Sequence, residues 1–310
     1  MGPLLHKKRR GQYYTESNPF RHSAFVKWAK DSGMQACTVL EPFAGSNSII
    51  KHLRVMDLCR SFRSYDIEPA SKDVEYRDTL ANFPQGFEVC VTNPPWLARN
   101  IATFKGLEFP EGEYGNLYQY ALENCLSNCD WVAALVPESF IRTQTFRKRL
   151  SSFVSVTECL FTDTGHPVGM ALFQPTKTEK TRVWVGKQLV GCLEELEKDY
   201  PIPRKNGVKV VFNAPNGNVG LYALDNTVQP SIRFCSPDEL SDYAVKRTGR
   251  HITKLWVDGK IELEKWNAFL NEFRHKTHDV LMTCYKGIRK DGKYRRRLDW
   301  QLARGIIHNA

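Results

Sequence analysis

Three observations predict an α/β chain built on a doubly wound, largely parallel sheet. Short apolar runs that end in acidic or small residues alternate with helix-period segments through the first half. The first of them, Cys37-Thr38-Val39-Leu40, passes through the loop Glu41-Pro42-Phe43-Ala44-Gly45-Ser46-Asn47-Ser48 into a helical pattern of Ile49, Ile50, Leu53 and Met56. That succession is the opening unit of such a sheet. After residue 186 the alternation gives way to turn formers and basic residues, which marks a second region.

Composition narrows the class. The chain has 310 residues and 42% hydrophobic content, enough for one large or two modest domains. No apolar run approaches the roughly 18 residues that span a bilayer. Charges near Met1 are not followed by an apolar segment, so a secretory leader is not expected. Nine cysteines are scattered without a CxxC pair; this argues against a zinc site or a disulfide framework and for a cytoplasmic location. The net charge is +10, and residues 244–310 hold 16 Lys+Arg against 7 Asp+Glu, carrying +9 of it. Such a concentration is a candidate nucleic-acid footprint, with a solvated basic surface as the plain alternative.

The elements follow in order. Lys7 to Arg10 form a basic tail, and Gly11-Gln12-Tyr13-Tyr14-Thr15 opens a polar, aromatic loop. It leads to a helix marked by Ala24, Phe25, Trp28 and Ala29, with Thr15 or Ser17 as candidate caps. In the loop after Leu40, Gly45 allows close backbone approach to a ligand, and Asn47 is suited to positive φ. A second strand, Phe62 to Ile67, ends in Asp66-Ile67-Glu68-Pro69, and a third near Val74 to Tyr76 leads to Asp78-Thr79-Leu80. Carboxylates at strand ends 41, 66 and 78 suit ribose hydroxyls and an adenine amino group, with Leu80 against the ring. The absence of GxGxxG weighs against a pyrophosphate site.

The strand Phe87 to Val91 runs into Thr92-Asn93-Pro94-Pro95-Trp96. Two prolines fix φ and remove two N–H groups, so the loop is stiff. It offers the Asn93 amide oxygen, a peptide oxygen at Pro94 and the flat indole of Trp96. Two acceptors beside a stacking plate suit a planar substrate with an exocyclic NH2. The segment 97–114, with two glycines, reads as a flap beside it. A helix follows from Leu117, a strand at Trp131 to Val136, a helix capped by Pro137 to Phe140, and a closing strand pair, Phe153 to Phe161 and Met170 to Phe173. Phe161 and Phe173 are candidate base-packing residues. Asp291-Gly292 predicts a hairpin among the terminal basic residues.

Taken together, the motifs resemble the gamma-ordered N6-adenine DNA methyltransferases that use S-adenosylmethionine. GQYYT resembles their N-terminal cofactor motif, EPFAGSN the first core motif, YDIEP the ribose motif, RDTL the adenine-contacting motif and NPPW the catalytic one, across roughly residues 11–175. Asn47 stands where many members have Gly, and Trp96 where Tyr or Phe is commoner. The resemblance implies a Rossmann-like methyltransferase sheet over 11–186, its last strand antiparallel, and a C-terminal target-recognition region over 187–310. It implies catalysis by Asn93, Pro94, Pro95 and Trp96. It implies S-adenosylmethionine held by Tyr14, Thr15, Glu41, Pro42, Phe43, Ala44, Gly45, Asp66, Ile67, Asp78, Thr79, Leu80 and Asn93. Double-stranded DNA is the expected partner, met by Lys286, Arg289, Lys290, Lys293, Arg295, Arg296 and Arg297. A separately acting restriction endonuclease is a further candidate partner; no metal and no membrane are expected. RNA bases or a protein glutamine remain alternative acceptors for the same chemistry, and a catalytically dead nucleic-acid-binding module is the alternative of another class.

Overall fold

The computed structural model describes residues 18–157, 160 and 165–310, in two compact units, Met1–Leu189 and Val190–Ala310. In the first, the strands are β1 (Thr38–Glu41), β2 (Ser61–Asp66), β3 (Glu75–Tyr76), β4 (Val89–Thr92), β5 (Trp131–Pro137), β6 (Leu150–Val156), β7 (Val168–Phe173) and β8 (Arg182–Val185). A further strand, β9 (Gln188–Cys192), carries the chain across the boundary. The sheet order is β3-β2-β1-β4-β5-β7-β6-β8-β9. β3 to β5 are parallel. β7 runs antiparallel to both β5 and β6, as the resemblance implies. Strand order thus reverses between β1 and β4, and in open α/β sheets such a switch point opens a crevice at the carboxyl ends of the strands.

Alternation along the strands builds the core. Val39 of β1, Val89 and Val91 of β4, Ala133 and Leu135 of β5, and Met170 and Leu172 of β7 share one apolar cluster. Helices α1 (Ser23–Asp31) and α2 (Ser48–Val55) cover it with Phe25, Trp28, Ile49, Ile50 and Leu53. The Trp28 indole N–H donates to Phe173 O at 2.8 Å, so a polar atom is buried without losing its partner. His22 caps α1 by accepting from Ala24 N; the expected caps Thr15 and Ser17 lie outside the described residues.

Several expectations are corrected. Pro137 to Phe140 starts no α-helix, only the 3-10 turn Glu138–Arg142. Phe173 is fully buried and can pack no entering base; Phe161 lies outside the described residues. Within 97–114, Arg99–Phe104 is a helix, α3, pinned by buried Leu97 and Ala102. The Arg99 guanidinium donates to Gly112 O, Tyr114 O and Tyr120 Oη and stacks over Phe109 at 4.5 Å. The next helix, α4, is Leu117–Asn128.

The second unit holds an antiparallel sheet of β10 (Val210–Phe212), β11 (Val219–Tyr222), β12 (Arg233–Cys235) and β13 (Ile252–Val257). It also holds α5 (Leu263–Thr277), the hairpin β14 (Thr283–Ile288) with β15 (Tyr294–Arg297), and α6 (Trp300–Asn309). The hairpin turns where Asp291-Gly292 predicted, with Gly292 at φ +76°. At its base sits Asp225, fully buried. Its oxygens accept from Arg274 Nη1 and Nη2, each at 2.9 Å, and from Arg289 Nη1 at 2.6 Å. Amides of Ser231 and Arg296 add two more bonds. Arg289 also grips Asp291 through two nitrogens.

Two expected DNA contacts are therefore corrected. Arg289 and Arg296 are each 3% exposed and belong to the interior of this unit. A buried guanidinium needs a carboxylate or carbonyl partner, and for Arg289 those are Asp225 and Asp291. Lys286, Lys290 and Lys293 are exposed, and Arg295 and Arg297 half-buried.

Candidate active site

The crevice lies where the topology places it. A cavity of about 730 Å³ is lined by Phe43, Ala44 and Gly45 after β1, Asp66 and Ile67 at the end of β2, Asp78 to Ala81 after β3, and Asn93 and Pro95 after β4. Leu97 and the segment 106–110 complete the wall. The size suits a small-molecule ligand.

The loop after β1 is held from all sides. Gly45 (φ +51°) and Asn47 (φ +61°) are both left-handed, and Asn is among the residues that tolerate this. Asn47 Oδ1 accepts from Ser64 Oγ on β2 at 2.8 Å, a bond that the commoner glycine would lack. Thr79 Oγ1 donates to Pro42 O at 2.7 Å. Asp66 accepts from Gly45 N at 2.8 Å with one oxygen and from Glu68 N at 2.7 Å with the other. Asp66 thus shapes the loop as well as facing the cavity. Burial pushes its carboxyl up, against those two amide bonds.

Glu41 sits behind the wall. It is wholly buried and is not a lining residue. One oxygen accepts from Thr92 Oγ1 at 2.7 Å and from Phe43 N at 3.1 Å. It therefore ties the loop after β1 to the residue preceding Asn93. The other oxygen, Oε2, has no hydrogen-bond partner among the described residues. Burial pushes the carboxyl up to about 8, against the Thr92 and Phe43 bonds, with the neighbouring Asp66 charge adding to the rise.

The structure brings Phe43, Ala44, Gly45, Asp66, Ile67, Asp78, Thr79, Leu80, Asn93 and Pro95 to one cavity and leaves four expected residues off its wall. Glu41 and Pro42 are behind it. Pro94 is buried. Trp96 is half-buried, packs against the core cluster and donates its indole N–H to Leu135 O at 3.3 Å; that bond turns it away from this cavity. Asp78 Oδ1 accepts from Leu80 N and Ala81 N, so part of its role is to hold a turn. Tyr14 and Thr15 lie outside the described residues. The segment 106–110, part of the stretch expected as a flap beside the catalytic loop, forms cavity wall, though none of its residues was singled out; Phe109 and Pro110 were the available signal. Among the described residues no group of metal-ligating side chains is present, and no helix is long and apolar enough to cross a membrane.

No protein-family model and no curated protein sequence matches the chain. Solved structures do resemble it. A protein from Listeria monocytogenes described as a class I S-adenosylmethionine-dependent methyltransferase aligns at 14% identity and TM-score 0.42, covering 60% of this chain and 70% of that one. The methyltransferase subunit of a type I restriction-modification system from Streptococcus thermophilus aligns at 12% identity and TM-score 0.38, covering 62% of this chain. The M protein of the type I restriction enzyme EcoKI aligns at 14% and 0.37, covering 82% of this chain and 70% of that one. The chain spans only 53% of the Streptococcus subunit. The likeness is one of general fold, which the strand order already defines.

Proposed function

We propose that the chain transfers a methyl group from S-adenosylmethionine to N6 of an adenine extruded from DNA. The observation that carries this reading is the position of Asn93 and Pro95 on the wall of the cavity at the β1/β4 switch point. A stiff acceptor-bearing loop and a cofactor-sized cavity share one edge. The buried Glu41, two residues along the chain from the lining residue Phe43, braces that edge from behind by accepting from Thr92 Oγ1 and Phe43 N.

The residues present fit that cofactor. Asp66 would receive ribose hydroxyls on its remaining lone pairs, and Ile67 and Leu80 would flank the adenine ring, with Asp78 beside it. Bound there, the cofactor supplies an electrophilic methyl on a sulfonium. Asn93 Oδ1 and the Pro94 carbonyl would accept the two N–H bonds of the target amine. That draws its lone pair out of conjugation and aims it at the methyl carbon, an effect of orientation and fixed dipoles. The nitrogen becomes acidic only as it is methylated, and its proton then leaves to solvent, so no strong base is required beforehand. Trp96, steadied by its bond to Leu135 O, would stack on the base outside the cofactor cavity, and Asn93 would be the residue common to both surfaces. The adenine must leave the duplex for this. The exposed Lys286, Lys290 and Lys293, with Arg295 and Arg297, would meet phosphates.

The test is Asn93→Ala with labelled S-adenosylmethionine and DNA, RNA and protein as separate acceptors. Wild-type protein should label DNA at adenine N6. The variant should keep cofactor affinity and lose about 10²–10³-fold in turnover, the usual scale for one oriented hydrogen-bonding group. Near-normal turnover, or label in RNA or protein alone, overturns the reading.

A further inference from the structure

Helix α3 leaves the active-site loop within three residues of Trp96 and returns directly to the cavity wall at Gly106. Its inward side is Ala102, fully buried. Its outward side is apolar: Ile101 is 42% exposed and Phe104 88%. Residues three apart on a helix are neighbours, so the two form one small projection. An aromatic side chain held this far into water is unusual. It is also well mounted. Leu97 anchors the start of the helix, Leu107 N bonds Ala102 O at 3.0 Å beyond its end, and Arg99 ties it to the 112–114 backbone.

We propose that Phe104, supported by Ile101, is a wedge that enters the duplex and fills the gap left when the target base is extruded; this deepens the adenine-in-DNA reading and rests on it. Two arguments select this occupant. The helix that carries the projection starts three residues after Trp96 and ends two residues before the cavity-lining Gly106, so it follows directly on the loop proposed to hold the base. Two side chains are also too small a patch for a stable protein interface, which buries about 800 Å² per partner. An apolar wedge between base steps needs only one ring.

The experiment compares Phe104→Ala and Phe104→Leu with wild type on two duplexes. In one the target adenine is normally paired; in the other it faces an abasic site, where extrusion costs little and leaves no partner base to restrain. Methyl transfer is read as kcat/KM, and 2-aminopurine fluorescence at the target position reads extrusion itself. Phe104→Ala should lose about tenfold or more on the paired duplex, where unstacking must be offset, with a smaller fluorescence rise. It should match wild type on the abasic duplex, and Phe104→Leu should lie between the two. Because Phe104 is almost wholly exposed, its truncation removes little packing. Equal behaviour of Phe104→Ala on both duplexes, whether unimpaired or equally impaired, overturns the wedge while leaving the adenine reading standing; an equal impairment would point to a protein partner on this helix. A wild-type protein that methylates neither duplex overturns the adenine reading, and the wedge with it.

Discussion

The two units each bury a carboxylate completely, and they treat it in opposite ways. Asp225 in the second unit is ringed by Arg274, Arg289 and two backbone amides. Burial alone would push its carboxyl up, but the Arg274 bonds and charge, with the Ser231 and Arg296 amides, bring it below the ordinary value. Glu41 in the first unit has hydrogen bonds but no cation, one oxygen without a partner, and a carboxyl pushed up to about 8 by burial. A buried acid with its countercharge built in is a structural joint. One buried without a countercharge is held in its neutral, protonated form. The same contrast divides the basic residues of the second unit: Arg289 is consumed by the interior, whereas Lys286, Lys290 and Lys293 remain at the surface.

The largest expected effect comes from breaking the satisfied joint. Asp225→Ala removes the carboxylate shared by two buried guanidinium groups, leaving Arg274 with Asp279 and Arg289 with Asp291, and should cost about 3–5 kcal/mol of stability, read by urea unfolding. A loss under 1 kcal/mol would mean that the arginines find water instead.

The second effect sharpens the comparison by pH. A group whose folded pKa is raised favours the folded state while protonated, so Glu41's contribution is complete below its ordinary value and is lost as pH rises through about 8. Wild-type Tm should therefore fall between pH 6 and pH 9 more steeply than that of Glu41→Gln. Asp225, with its pKa lowered, stabilises above its ordinary carboxylate pKa and loses that contribution only in acid. Identical Tm profiles for wild type and Glu41→Gln would show that Glu41 is not held uncharged.

The smallest effect concerns the exposed lysines. Replacing Lys286, Lys290 and Lys293 by Ala should leave stability unchanged. It should reduce the slope of log affinity for DNA against log salt by about 1 per lysine. An unaltered slope would remove the hairpin surface from the DNA footprint.

Much of the first unit was legible because strands announce themselves locally. Val39-Leu40, Val132 to Val136 and Met170 to Phe173 are apolar runs bounded by turn formers, and the observed strands lie within a few residues of those expected. Gly45 and Asn47 adopt the positive φ that their side chains admit. Asp66, however, looked like a ribose clamp and is also the brace of the Gly45 loop, because an acid's partner is not written beside it.

The sequence by itself determined the opening strand–loop–helix unit around Gly45, the stiffness of Asn93-Pro94-Pro95 and the hairpin at Asp291-Gly292, since each depends on backbone preferences within a few residues. Only the tertiary structure decided which charges face water. Arg289 and Lys290 are adjacent in the chain, yet one is buried against Asp225, 64 residues away, and the other is exposed. Desolvation is set by what packs from elsewhere in the chain, and no local pattern encodes it.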